Sequence, residues 1–140
     1  IETSAAGKDL QAKFKSRRES LQKEAVAYEK DLRAKEQALL DSRKTLDEKG
    51  FNEKKKSFET DLKAKRESVM KKNMDLEKAK NAALKGIQGN VAKICADIAE
   101  QKKIQVVLDR GAVVIAQQSL DITPDVISKL DATLKTVELK

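Results

Sequence analysis

From Phe14 onward, apolar residues and their equivalents recur at alternating steps of four and three. Ala25, Leu32, Leu39 and Leu46 form one row, and Phe14, Leu21 and Tyr28 form the other. A stripe this narrow suits a long helix that meets one partner, not the wall of a globular core. Arg18, Lys35 and Ser42 fall in the same stripe and loosen its hold. Residues 8–49 are rich in Ala, Leu, Lys, Glu and Arg and contain no proline, which favours unbroken helix. With 39% of the residues apolar and 38% charged, the chain lacks the material for a compact core, and long solvated helices are the expected use of it.

Gly50, in Asp47-Glu48-Lys49-Gly50-Phe51-Asn52, is the strongest breaker in the middle of the chain. A Gly after Lys at the end of a periodic run reads as a helix C-terminus, so a reversal is expected near 47–52. A second helix then shows Phe58, Leu62, Val69, Leu76 and Ala83, after which the seam slips by one residue to Leu84, Ile87, Val91, Ile94 and Ile98. Arms of about 42 and about 50 residues would run roughly 60–75 Å at the helical rise. Residues 1–103 are therefore expected to form a long antiparallel helical hairpin whose stiffness falls toward its tip.

The last quarter changes character. Ile104-Gln105-Val106-Val107-Leu108 and Ala112-Val113-Val114-Ile115-Ala116 are β-branched runs flanking Asp109-Arg110-Gly111, which reads as a β-hairpin with Gly where φ > 0 is tolerated. A lone hairpin is marginal, so it must join a larger sheet or pack on helices. Asp121-Ile122-Thr123-Pro124-Asp125 signals a helix start with Thr123 as N-cap. Val126, Ile127, Leu130, Leu134 and Val137 give that helix one apolar face. The fold class is thus α+β, mainly α: a helical hairpin over residues 1–103 on a small body over 104–140 that contains the β-hairpin.

Charge follows the same division. Residues 1–103 hold 26 Lys/Arg against 18 Asp/Glu, a net +8, whereas residues 104–140 hold 4 against 5, a net −1. A positive field on the helical part favours acidic polypeptides, anionic lipid or nucleic acid without choosing among them. It is densest at the expected tip, where Arg43, Lys44, Lys49, Lys54, Lys55 and Lys56 face Asp47, Glu48 and Glu53. Nucleic acid ranks last, because no aromatics interleave for base stacking and the bases are mixed with acids.

Chemistry is poorly provided for. The chain has no His, no Gly-rich phosphate loop and no paired Cys, so an enzyme, a metal site or a cofactor is not expected. Pairs such as Glu67 and Lys71 belong to solvated helix faces. Cys95 lies beside the apolar rows and reads as a small buried hydrophobe. Met70 and Met74 stand one turn apart and suit either an adaptable contact surface or ordinary packing within the hairpin. No apolar run approaches the ~20 residues of a membrane span, and no signal-peptide pattern opens the sequence. The expectation is a soluble chain without an export signal of its own.

Ile104-Gln105-Val106-Val107-Leu108-Asp109, Gly111-Ala112-Val113 and Asp121-Ile122-Thr123-Pro124-Asp125-Val126 resemble the end of chaperones of the Skp (OmpH-like) family, and a long basic hairpin preceding such a body has that family's order. The resemblance implies an ATP-independent holdase of the periplasm. It would be a homotrimer joined through Ile104, Val106, Val107, Leu108, Val113, Val114 and Ile115, whose arms hold unfolded outer-membrane β-barrel proteins. Client or anionic contacts would fall on Lys49, Phe51, Lys54, Lys55, Lys56, Met70, Lys71, Lys72, Met74 and Lys78. Lys71, Lys72 and Lys78 lie where lipopolysaccharide or an anionic membrane surface would be met. Family members begin with a strand before the first arm, whereas this chain opens with Ile1-Glu2-Thr3-Ser4 and enters the arm almost at once. Two other readings remain open from the residues: a structural or adaptor coiled coil, and a basic helical binder of nucleic acid or anionic membrane.

Overall fold

The computed structural model describes all 140 residues. Two long helices, α1 (Ala5–Ser42) and α2 (Glu48–Lys102), are followed by two single 3₁₀ turns, Arg110–Ala112 and Gln118–Leu120, and a short helix α3 (Thr123–Thr133). At about 1.5 Å per residue, 38 and 55 residues give lengths of about 57 and 83 Å. The chain divides into two compact units: residues 15–77, the hairpin unit, and residues 1–14 with 78–140, the terminal unit.

In the hairpin unit α1 and α2 run antiparallel, because ion pairs join Glu24 to Lys72, Asp31 to Lys65 and Lys35 to Asp61, the second number falling as the first rises. The seam is the one the periodicity outlines. Leu21, Ala25, Tyr28, Leu32 and Leu39 of α1 and Phe58, Leu62 and Val69 of α2 are half-buried among exposed neighbours. Only Ser42 and Leu76 are buried in this unit, and neither completely, so it carries a thin seam and no core in the globular sense.

The reversal lies earlier than Gly50. α1 ends at Ser42, whose carbonyl accepts from Leu46 N at 2.9 Å, and residues 43–47 make the turn. Asp47 starts α2: its Oδ1 accepts from Gly50 N at 2.9 Å, which satisfies one of the free amides of the first turn. Gly50 is therefore inside α2 and not the end of α1, and no glycine of the chain has positive φ. Leu46, expected in the seam, falls in the turn and is exposed.

The residue that ends a long helix in the left-handed region is instead Lys103, at φ 55°. Ile104 N donates to Ala99 O at 2.8 Å and Lys103 N to Glu100 O at 3.2 Å, the paired bonds of a Schellman ending. A side chain at such a position costs roughly 1 kcal/mol. Lys103→Gly is expected to raise stability by up to about that amount, read as a higher urea midpoint at unchanged slope.

The terminal unit is where the fold buries its apolar residues. Ala6 and Leu10 of α1, Ala79, Ile87, Ile94 and Ile98 of α2, Val126 and Leu130 of α3, and Val137 and Leu139 beyond it are all buried. Three polar ties hold the pieces in register. Ala5 N, a free amide at the start of α1, donates to Asp131 Oδ1 at 2.7 Å, which also places a carboxylate at the positive end of the helix. Val137 N donates to Asp9 Oδ2 at 2.9 Å, and Lys13 Nζ donates to Val137 O at 2.8 Å. At the other end of α2, Lys102 pairs with Asp125 and Lys129 Nζ donates to Gln101 Oε1 at 3.0 Å. Gly7 is required by close approach, since a Cβ there would lie 2.2 Å from the carbonyl oxygen of Ile1.

Two sequence expectations are corrected in residues 104–123. No strand forms: Asp109 and Val113 have extended φ/ψ and flank a 3₁₀ turn, but Ile104, Val106, Val107 and Leu108 pair with nothing across the turn from Val113, Val114 and Ile115. The physical reason is the one that makes isolated hairpins marginal: a single two-stranded ribbon buries too little to repay its ordering. Gly111 takes no positive φ either; its amide donates to Asp109 Oδ1 at 2.7 Å. At the start of α3, Thr123 is inside the helix. Asp121 acts on that end instead, accepting from Thr123 N at 2.9 Å and holding its own carboxyl below the ordinary range through hydrogen bonds to the Thr123 side chain and amide.

Candidate functional site

The side chains singled out by sequence fall into three places. Around the unpaired segment, Ile104 and Val113 are half-buried, while Val106, Val107, Leu108, Val114 and Ile115 are exposed, the last two at 97% and 90%. Leu120 adds a sixth large exposed apolar side chain. Water against so many β-branched side chains in one short stretch is unfavourable, at about 25 cal/mol per Å² of apolar area.

The second place is the turn. Lys49, Lys54, Lys55 and Lys56 are exposed in the first turns of α2. Phe51 is half-buried with the Arg43 guanidinium 5.6 Å from its ring centroid. The shallow hollow here is lined by Asp47, Glu48 and Glu53 as well as Lys49 and Lys56. Acids and bases thus share this surface.

The third place is the middle of the hairpin unit, where the sequence missed most. One face is closed by charge. Glu24 accepts from both Lys72 and Tyr28, and Lys72 also sits 6.0 Å from the Tyr28 ring. Asp31 pairs with Lys65 and, at 3.4 Å, with Lys35; Lys35 pairs in turn with Asp61. Hydrogen bonds from Lys72 and Tyr28 hold the Glu24 carboxyl below its ordinary 4.5, and a hydrogen bond from Lys65 holds Asp31 below 3.8. Lys35 and Lys72 are held above 10.5 by Asp61 and Glu24 respectively. Lys72 is therefore committed to ion pairing, unlike its exposed neighbour Lys71. Glu67 pairs with Lys63 at 3.9 Å and not with Lys71.

The opposite face is open. A groove of about 780 Å³ runs between the helices, floored by Ala25, Tyr28, Leu32, Phe58, Leu62, Val69 and Met70 and rimmed by Glu29, Arg33, Glu36, Lys65, Arg66 and Asn73; Tyr28 and Lys65 lie in the seam and border both faces. Met70 is 60% exposed, and Met74 lies one turn further along α2, also exposed. Lys78 belongs to the terminal unit. Cys95 is free and half-buried at the edge of the core there.

The sign of the carboxylate shifts makes the closed face acid-sensitive. Folded values below the unfolded ones mean that the pairs contribute fully above pH 4.5 and lose that contribution as pH falls through the folded values. The lysines, raised when folded, lose theirs only as pH rises beyond 10.5. Amide exchange in residues 24–35 and 61–72 is expected to speed up, relative to residues 84–98 of α2, between pH 5 and pH 3 and to stay constant from pH 6 to 9, after correction for intrinsic rates. Equal acceleration in residues 84–98 would count against the ion pairs as the cause.

No helix is long and apolar enough to cross a membrane. A helical hairpin unit with a charged outer surface and one thin seam, and a terminal unit that leaves an apolar segment uncovered, define a mainly helical class of protein. The particular family is given by sequence: the model of the outer membrane protein (OmpH-like) family matches residues 1–130, and the chain belongs to that family. Among solved structures it is similar to a Caulobacter crescentus CB15 protein provisionally described as an outer membrane chaperone (OmpH-like), at 23% identity and a TM-score of 0.89, covering 97% of this chain and 80% of that one. That likeness establishes a shared fold. No curated protein matches the sequence.

Proposed function

We propose that this protein is an ATP-independent holding chaperone of the periplasm that keeps unfolded outer-membrane β-barrel proteins from aggregating. The observation that carries the reading is the uncovered apolar segment, Val106–Leu108 with Val114 and Ile115, within a chain of the OmpH-like family. These runs have strand composition but no partner in the single chain. Pairing them with the same segments of other copies supplies both the hydrogen bonds and the burial, and a homotrimer is the assembly the family resemblance implies. The body of residues 104–140 then joins the copies, and the hairpins of residues 1–103 hold the client.

Passive holding also suits the hairpin unit. Half-buried seam residues and exposed ion pairs make a surface that binds by many weak contacts, since exposed pairs contribute little each. The description of the Caulobacter relative as an outer membrane chaperone supports the same role. Lys71 and Lys78, exposed and basic, and the lysines at the turn would add attraction to anionic segments of the client, to lipopolysaccharide or to an anionic membrane surface.

Light scattering tests this directly, on the protein alone and with a urea-diluted β-barrel protein added without nucleotide. A mass three times the 15.6 kDa chain, with a soluble client complex, is expected. A monomer that leaves the client to aggregate would refute the holdase and favour a structural coiled coil.

A further inference from the structure

The two faces of the hairpin unit differ in what they can bind. On the closed face the charges are spent on one another, and around them stand Ala27, Ala34, Ala38, Ser57, Ala64 and Ser68, small side chains with little to offer a ligand. On the open face the groove carries a continuous apolar floor, and the exposed large apolar side chains of these helices lie on or beside it. Val26 is one turn before Glu29, Leu40 one turn after Glu36, and Met70 in the lining itself. We infer that this groove, floored by Leu32, Phe58, Leu62, Val69 and Met70, is a binding site for an extended segment of non-native polypeptide with apolar side chains on alternate positions. The inference rests on the holding function proposed above and assigns the grip to one face.

Size and polarity both select that occupant. Along α1 the groove runs from Ala25 to Glu36, about 17 Å at the helical rise, which is the length of about five residues of extended chain. The contact area is then on the order of a few hundred Å², well below the ~1,200 Å² of a stable protein pair, so a second folded copy would not be retained there but a transient segment would. The rim supplies what such a segment needs. The side chains of Glu36, Arg66 and Asn73 make no hydrogen bond or ion pair within the chain, and they offer an acceptor, a fork of donors and an amide with both. Arg66 and Asn73 are two helical turns apart, about 10 Å, close to three residues of strand. Backbone groups of an extended chain would be matched on either side while alternate side chains enter the floor. The mixed sign of the rim fits a polypeptide backbone better than the uniformly anionic backbone of a nucleic acid. Met70, unbranched and polarizable, lets the floor accept different side chains.

The test is fluorescence anisotropy of a labelled short peptide of alternating Val and Thr, titrated with the whole protein. Met70→Glu places a charge in the groove, and Ala34→Glu adds the same charge on the closed face; both positions are exposed, so helix content by circular dichroism should be retained. Met70→Glu is expected to weaken the peptide roughly five- to tenfold and Ala34→Glu less than about twofold. No peptide binding by the unaltered protein, or equal effects of the two variants, would overturn the groove. Suppression of client aggregation is measured on the same three proteins. If the unaltered protein holds clients while peptide binding ignores Met70, the groove fails and the holdase stands. If the peptide binds through Met70 but clients still aggregate, the groove stands and the holdase fails.

Discussion

Replacing Leu130 with Ala lowers the stability of the terminal unit by about 2–5 kcal/mol, the range for a buried Leu whose surroundings relax only in part. Leu130 is 1% exposed on α3, a helix of 11 residues tied to α1 through Asp131 and to α2 through Lys102–Asp125. With Val126, it is one of two buried side chains of α3, and the other anchors of the chain beyond Lys102 are mainly polar ties and the buried Val137 and Leu139. Domain stability as a whole is usually about 5–15 kcal/mol, so this single change removes a large share. Leu32→Ala on α1 supplies the contrast. Leu32 is only half-buried in the seam, and the same truncation there is expected to cost about 1 kcal/mol. Urea titrations followed by circular dichroism separate the two. A Leu130→Ala protein with an unmoved midpoint would show that the buried cluster is not what stabilises this unit.

The double change Val114→Asp with Ile115→Asp should leave the isolated chain as stable as before and abolish the self-association proposed above. Both side chains are almost wholly exposed in the single chain, so nothing inside it loses a contact. If the segment is buried between copies, each copy forfeits about 3–6 kcal/mol of apolar burial, taking about 1.5–3 kcal/mol for each side chain. At 1.4 kcal/mol per tenfold, that weakens association by roughly two to four orders of magnitude, before the cost of burying carboxylates is counted. Light scattering of the variant should give the 15.6 kDa monomer at concentrations where the unaltered protein assembles. An unchanged assembly mass would place the interface elsewhere, and with it the explanation of why this apolar segment is left uncovered.

Much of the helical architecture was legible because periodicity is a local signal with many repeats. Leu21, Tyr28, Leu32 and Leu39 on one helix, and Phe58, Leu62, Val69 and Leu76 on the other, mark the side each helix turns toward its partner. The turn was misplaced by a competition between two plausible signals. Gly50 suggests a C-terminus, but an Asp three residues before an amide donor makes a strong N-cap, and Asp47 takes the Gly50 amide. The same kind of local carboxylate, Asp121, displaced Thr123 at the start of α3. The strands failed for a different reason. Val106 and Val114 have β-branched side chains, yet a strand is a property of a pair, and one chain does not hold enough partners. The groove was the least legible feature. Heptad rows treat both flanks of the seam alike, whereas the asymmetry arises from cross-helix pairs such as Asp31–Lys65 and Lys35–Asp61. Their existence depends on the register of two helices, which the turn sets. Asp31/Lys35 and Asp61/Lys65, each four apart, read in sequence as pairs within one helix; only the fold crosses them.

The hydrogen bonds that Asp131 and Asp9 make across the terminal unit span 126 and 128 residues of chain. The hairpin unit, by contrast, is closed by pairs 26, 34 and 48 residues apart. Closing short loops precedes closing long ones, because each longer loop gives up more chain entropy before any contact repays it. During synthesis the hairpin can therefore zip while the last quarter of the chain is still being made, and the start of α1 waits for α3 to arrive. In the trimer proposed above, joining of copies through residues 104–116 comes no earlier than that. A nascent chain would pass through a stage in which the hairpin unit is already closed and the proposed assembly surface does not yet exist.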